Sequence, residues 1–145
     1  MSEGNQTEAK KPKSIYDVFE TDESLEAKGI RVRIADSVFI VARAGGSNER
    51  FRKVAEAKTR PLRRRIETNT IEAEELNRVM AEIFAESVLL GWENVTQRDG
   101  TPLTFSRDNV VKLLLDLPDL FQVLQEESKT LANFKALEIE GDVKN

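Results

Sequence analysis

Between Ser106 and Pro118 the chain can form a helix that is apolar around most of its circumference. Val110, Leu113, Leu114 and Leu117 recur at i, i+3, i+4 and i+7, and Val111 with Leu115 adds a second, adjacent stripe. Lys112 and Asp116 leave little polar surface. Such a helix is either enclosed by its own domain or docks a partner. Ser106 is placed to cap it, and Pro118, which lacks an N–H, stops it and suits the first turn of a following helix. The stretch therefore predicts a helix–helix corner inside a mainly helical domain.

The segments around it fix the class further. Ile30, Val32 and Ile34 alternate with Arg31 and Arg33, and Val38 to Ala44 is β-branched and aromatic. Period 2 of this kind predicts a β-hairpin over 30–44, with a turn near Asp36-Ser37. After Gly45-Gly46 the period changes to 3.6. Ser47 or Asn48 caps a basic helix running to about Lys58, and Pro61 kinks or divides the basic segment. The Glu72–Leu90 helix is the strongest, with Leu76, Val79, Met80, Ile83 and Phe84 on one face and Gly91 as its terminator. Asp99-Gly100 is a tight turn between Val95 and Leu103, and Pro118 to Phe134 reads as a last helix. The fold class expected is mainly α (α+β): four to five helices with one short N-terminal hairpin. Residues 1–20 are expected to be a flexible arm, 21–134 the single globular domain, and 135–145 a flexible acidic tail.

Composition bears on chemistry. The 145 residues hold neither cysteine nor histidine, which removes disulfides, thiol chemistry and the commonest general base and zinc ligand. No enzyme activity, cofactor or metal is expected. No apolar run approaches the roughly 20 residues of a membrane span, and the N-terminus lacks the apolar core of a signal peptide. The reading is a soluble cytoplasmic protein. Asp99-Gly100 lacks the repeated ligands of a calcium loop, and Gly45-Gly46 lacks the lysine and spacing of a phosphate loop.

Three features suggest contacts. The basic run from Arg50 to Arg65 reads either as phosphate contact or as a solvated face paired with acidic helices. A net charge of -4 favours the second, so no nucleic-acid or membrane partner is expected. A helix-turn-helix around Pro118 would present Asp119, Glu126 and Glu127 to phosphates, which repels them. Candidate partner-binding residues are Val111, Leu115 and Phe121 on and after the Ser106–Pro118 helix, and Trp92, the one tryptophan, which reads either as a binding hot spot or as buried packing.

Three blocks in order resemble the tail assembly chaperones of long, non-contractile-tailed bacteriophages. The first joins Leu25–Ile30 to Phe39–Phe51, with Arg43, Gly45 and Asn48 inside it. The second is Ala85–Val95, containing Gly91 and Trp92. The third gathers Asp99–Phe105, Asp116–Phe121 and Asn133-Phe134. The resemblance spans roughly Thr21 to Phe134. It implies a non-enzymatic factor in the host cytoplasm, absent from the finished virion. Such a factor keeps the tape measure protein soluble while tail tube subunits polymerise, and self-association is compatible with it. In many members a frameshift supplies a rarer extended form. The residues themselves leave open a structural tail or head–tail component, and a nucleic-acid-binding regulator.

Overall fold

The computed structural model describes residues 14–135. Expectations for residues 1–13 and for 136–145 lie outside the described residues. Helix α1 is Ile15–Phe19, capped by Ser14, and α2 is Glu23–Lys28, capped by Asp22. Strands β1 (Ile30–Ile34) and β2 (Ser37–Val41) come next. Helix α3 is Glu49–Thr59, a 3-10 turn covers Arg60–Leu62, and α4 is Arg63–Glu67. Helix α5 (Ala73–Ser87) leads directly into β3 (Leu89–Glu93). Helices α6 (Arg107–Asp116) and α7 (Pro118–Lys129) close the domain, with a 3-10 turn at Leu131–Phe134. The fold is mainly helical with a small antiparallel sheet, as the periodicities required.

The sheet has three strands in the order β1-β2-β3, one more than the hairpin expected. Residues Leu89–Glu93 continue the chain not as the end of a helix but as a strand against β2, pairing Phe39 with Trp92 and Val38 with Glu93. The pairing satisfies the outer edge of β2, which an isolated hairpin would leave open. Val41 faces Leu89 while Ile40 faces Gly91, so Leu90 is the extra residue of a bulge and is 43 % exposed. The hairpin turn falls at Ala35-Asp36, with Ala35 at φ 56, rather than at Asp36-Ser37.

One face of the sheet, with Val32, Phe39 and Val41, packs on the helices. Helix α5 packs against α3 and α6, and α6 against α5 and α7, so α6 is enclosed on two sides. Phe84 and Phe121 meet edge-on at 5.3 Å, joining α5 to α7. Val110, Leu114 and Leu124 are at most 1 % exposed and mark the centre. Each such aliphatic side chain contributes about 1.5–3 kcal/mol on burial.

Asn48 ties the layers together. Its Oδ1 accepts from Phe51 N–H at 3.2 Å as the cap of α3, and its Nδ2 donates to Arg43 O at 2.8 Å and Ser87 O at 3.0 Å. It links the end of β2, the start of α3 and the end of α5. Asn48→Ala removes a cap and leaves two carbonyls without this donor, so a loss of about 2–3 kcal/mol is expected. Chemical denaturation at an unchanged m-value checks this; a loss under ~0.5 kcal/mol would contradict it.

Candidate functional site

Helix α6 stands between two grooves. Ser106 Oγ accepts from Asn109 N–H at 3.1 Å and starts the helix, and Pro118 begins α7 with only Leu117 between it and the end of α6. The 95–103 segment doubles back beside it. Leu103 N–H donates to Val95 O and Gln97 N–H to Thr101 O, while Gly100 takes the positive φ of 88 that the turn requires. Asp99 Oδ1 accepts from Thr101 N–H and Oγ1, which fixes the tip. Trp92 donates its indole N–H to Leu103 O at 2.9 Å and meets Phe105 edge-on at 5.1 Å, pinning the base of the loop to β3.

The larger groove lies between this loop and α6 and has a volume of about 490 Å³. Leu103, Leu113 and Leu117 form its apolar floor; Arg98, Asp99, Lys112 and Asp116 form a rim of mixed sign. Leu117 is 46 % exposed at the corner between α6 and α7. Lys112 reaches Asp116 at 3.0 Å, so the rim on that side is an exposed i,i+4 pair of small energy. The second groove, about 330 Å³, runs along the other side of α6 beside α5, where Val111 and Leu115 meet Arg78, Glu82, Arg107 and Asp108. The arrangement fits an apolar helix with a polar edge.

The sequence-derived contact residues are distributed unevenly about these grooves. Val111, which with Leu115 could be either a partner face or core packing, is only 7 % exposed and belongs to the hydrophobic core; Leu115 is half-buried against it. The physical reason is that α6 is flanked by both α5 and α7, so Val111 is covered from within the domain. Phe121 is 9 % exposed and packs on Phe84. Trp92 is half-buried and holds the loop. Leu113 and Leu117, from the first apolar stripe, line the larger groove.

The basic segment is largely paired. Arg65 forks onto Glu75 at 2.8 and 3.0 Å, and Arg60 and Arg63 share Glu56. Arg50 Nε donates to Glu86 O at 2.7 Å, and Arg52 pairs with Glu49. Lys58 Nζ lies 3.0 Å from Glu86 Oε2, which also forms an ion pair with Arg107.

A second buried cluster lies where α2 meets the end of β2. Glu26 is 1 % exposed. Arg43 Nη1 donates to its Oε2 at 2.6 Å, and Ser47 N–H and Oγ donate to its Oε1. Burial pushes the Glu26 carboxyl up, but hydrogen bonds from Ser47, Thr21 and Arg43 outweigh it and hold the pKa at about 2. Arg43 lies 5.7 Å over the Phe134 ring. Gly46, at φ 54, passes so close that a Cβ there would stand 2.6 Å from Glu26 Oε2. Periodicity alone did not reveal this cluster; the pairing joins residues 17 apart that look individually like surface charges.

Among the described residues no group of three or more His, Cys, Asp or Glu is arranged to hold a metal ion, and no helix is long and apolar enough to cross a membrane. No curated protein and no solved structure matches the chain. Residues 46–145, which carry α3 to α7 and both grooves, match the family model described as YdaY prophage protein. The chain belongs to the YdaY prophage protein family, and so to a protein family of phage origin.

Proposed function

We propose that this protein is a non-enzymatic tail assembly chaperone, keeping the phage's tape measure protein soluble and helping to recruit tail tube subunits in the host cytoplasm. The observation that carries the reading is the groove of Leu103, Leu113 and Leu117 beside α6, open to solvent and rimmed by Arg98, Asp99, Lys112 and Asp116. A holdase for long amphipathic helices needs such an apolar floor with polar edges. Phage origin and the resemblance of Thr21–Phe134 to tail chaperones support the same reading.

The test is coexpression with the long helical tail protein encoded by the same prophage. The soluble fraction of that client is expected to rise with the parent protein and not with Leu117→Asp. Position 117 is the N-cap of α7, where aspartate is favoured, so the variant is expected to stay within about 0.5 kcal/mol of the parent. A client equally insoluble with and without the parent protein refutes the reading. Recovery of the protein from purified particles would favour a structural tail component instead. DNA binding that weakens steeply with salt would favour a regulator.

A further inference from the structure

The first helix leaves its apolar side chains uncovered. In α1, Ile15 and Tyr16 are each 71 % exposed and Phe19 is 66 % exposed. At about 100° per residue the three fall within one face of roughly 100°. An apolar side chain exposed singly needs no explanation, but three sharing one face form a patch. Alone, a helix of this length is not stable in water. Here it is capped and tied down. Ser14 Oγ accepts from Asp17 N–H at 3.4 Å, and Glu20 N–H donates to Tyr16 O at 2.8 Å. Lys135 Nζ donates to Asp17 O at 2.7 Å and to Val18 O at 3.0 Å. The fold thus holds α1 in place and buries none of its residues.

This patch and the larger groove belong to opposite ends of α7. Leu117, on the groove floor, immediately precedes α7. At the other end, Ser128 O accepts from Ala44 N–H, Asn133 Nδ2 donates to Glu127 O, and Phe134 O accepts from Asp22 N–H. Lys135 reaches α1 from there. At about 1.5 Å per residue, α7 sets the two roughly 17 Å apart. No residue of α1 lines the groove. The two surfaces are nonetheless complementary. The groove floor is apolar, and its rim offers Asp99 and Asp116 as acceptors for a tyrosine hydroxyl. Arg98 on the same rim has no ion pair among the described residues and matches Glu20, the residue that closes α1. A volume of about 490 Å³ is of the size that takes a few large side chains.

We infer that α1 of one copy docks in the groove of Leu103, Leu113 and Leu117 of the next, so that the protein associates head to tail. Ile15, Tyr16 and Phe19 meet the three leucines, in the manner of a short helix laid in an apolar groove. Donor and acceptor are different surfaces, so the contact is heterologous. Each assembly keeps one unused α1 and one unused groove, and it grows until a ring closes. One short helix in one groove buries less than the roughly 1,200 Å² of a stable complex, so each contact is weak and the series forms at high protein concentration. The contact requires only α1 and the groove, whatever client the groove also takes.

Sedimentation equilibrium of the full-length protein, with no client present, tests this between about 20 µM and about 1 mM. The weight-average mass of the parent is expected to rise with concentration and to pass twice the monomer mass. Tyr16→Ser with Phe19→Ser removes the donor and leaves the groove; Leu117→Asp spoils the groove floor and leaves α1. Each variant is expected to melt like the parent and to associate at least about tenfold more weakly. An equal mixture of the two retains one working contact, α1 of Leu117→Asp in the groove of the other variant, and is expected to stop at a heterodimer. A parent mass that does not change with concentration overturns the proposal. A plateau at the homodimer overturns it too, by assigning the contact to like surfaces. So does undiminished association of the Tyr16 and Phe19 variant, and so does a mixture that associates no better than its components.

Discussion

Glu26→Ala is expected to lower the melting temperature by about 10 °C or more, one of the two largest losses in the domain. The substitution leaves the Arg43 guanidinium, whose side chain is 18 % exposed, without its carboxylate, and strips Ser47 of its acceptor. Removing one partner of a buried pair costs about 3–5 kcal/mol, because the remaining charge stays desolvated. For a domain of this size each kcal/mol shifts the melting temperature by roughly 3 °C. The same group makes stability depend on acid. Its folded pKa of about 2 lies below the ordinary 4.5, so its contribution is complete above pH 4.5 and is lost as pH falls through 2. The shift corresponds to about 3 kcal/mol. Between pH 5 and pH 2 the parent should therefore lose that much more stability than Glu26→Gln, which keeps the shape and has no proton to gain. Denaturation midpoints across this pH range decide it, and parallel curves for the two proteins would show that Glu26 is not held ionised by its surroundings.

What the sequence disclosed and what it hid divide along the range of the interaction. The cap at Ser106, the corner at Pro118 and the turn at Asp99-Gly100 depend on a few neighbouring residues and were legible; the cap of α3 was narrowed to Ser47 or Asn48, and it is Asn48. The alternation of Ile30 to Ile34 with Arg31 and Arg33 marked the first strand for the same reason. Strand β3 was hidden because Val88-Leu89-Leu90-Gly91-Trp92 is equally compatible with a helix end; only the pairing of Phe39 with Trp92 decides it. The Glu26–Arg43 pair was hidden likewise, since its partners share no local pattern. Val111, Leu115 and Phe121 stand out in the sequence as large apolar side chains near one corner, and Trp92 as the one tryptophan. Whether Val111 and Leu115 are covered depends on α5 and α7 both reaching α6, and spacing within one helix says nothing of that.

That dependence gives the second large effect. Val111→Asp is expected to cost about 3 kcal/mol or more, and Leu115→Asp distinctly less. Val111 is 7 % exposed and sits in the core with Val110 and Leu114, while Leu115 is half-buried at the margin of the smaller groove. A carboxylate at 111 would be buried in the core on a short stem, while the neighbouring groove holds Arg78, Arg107 and Lys112 as well as Glu82, Asp108 and Asp116 on its lining. Aspartate is the sharper probe than lysine, whose long stem would let an ammonium reach those same carboxylates and soften the loss. Urea denaturation of the two single variants separates core from surface by the ratio of their losses. If Val111→Asp stayed within ~0.5 kcal/mol of the parent, the second stripe of α6 would be a free face, and the proposed client contact would be reassigned from Leu113 and Leu117 to Val111 and Leu115. With the expected loss, that stripe is packing, and half-buried Leu113 with exposed Leu117 remains the part of α6 to which the proposed client contact is assigned.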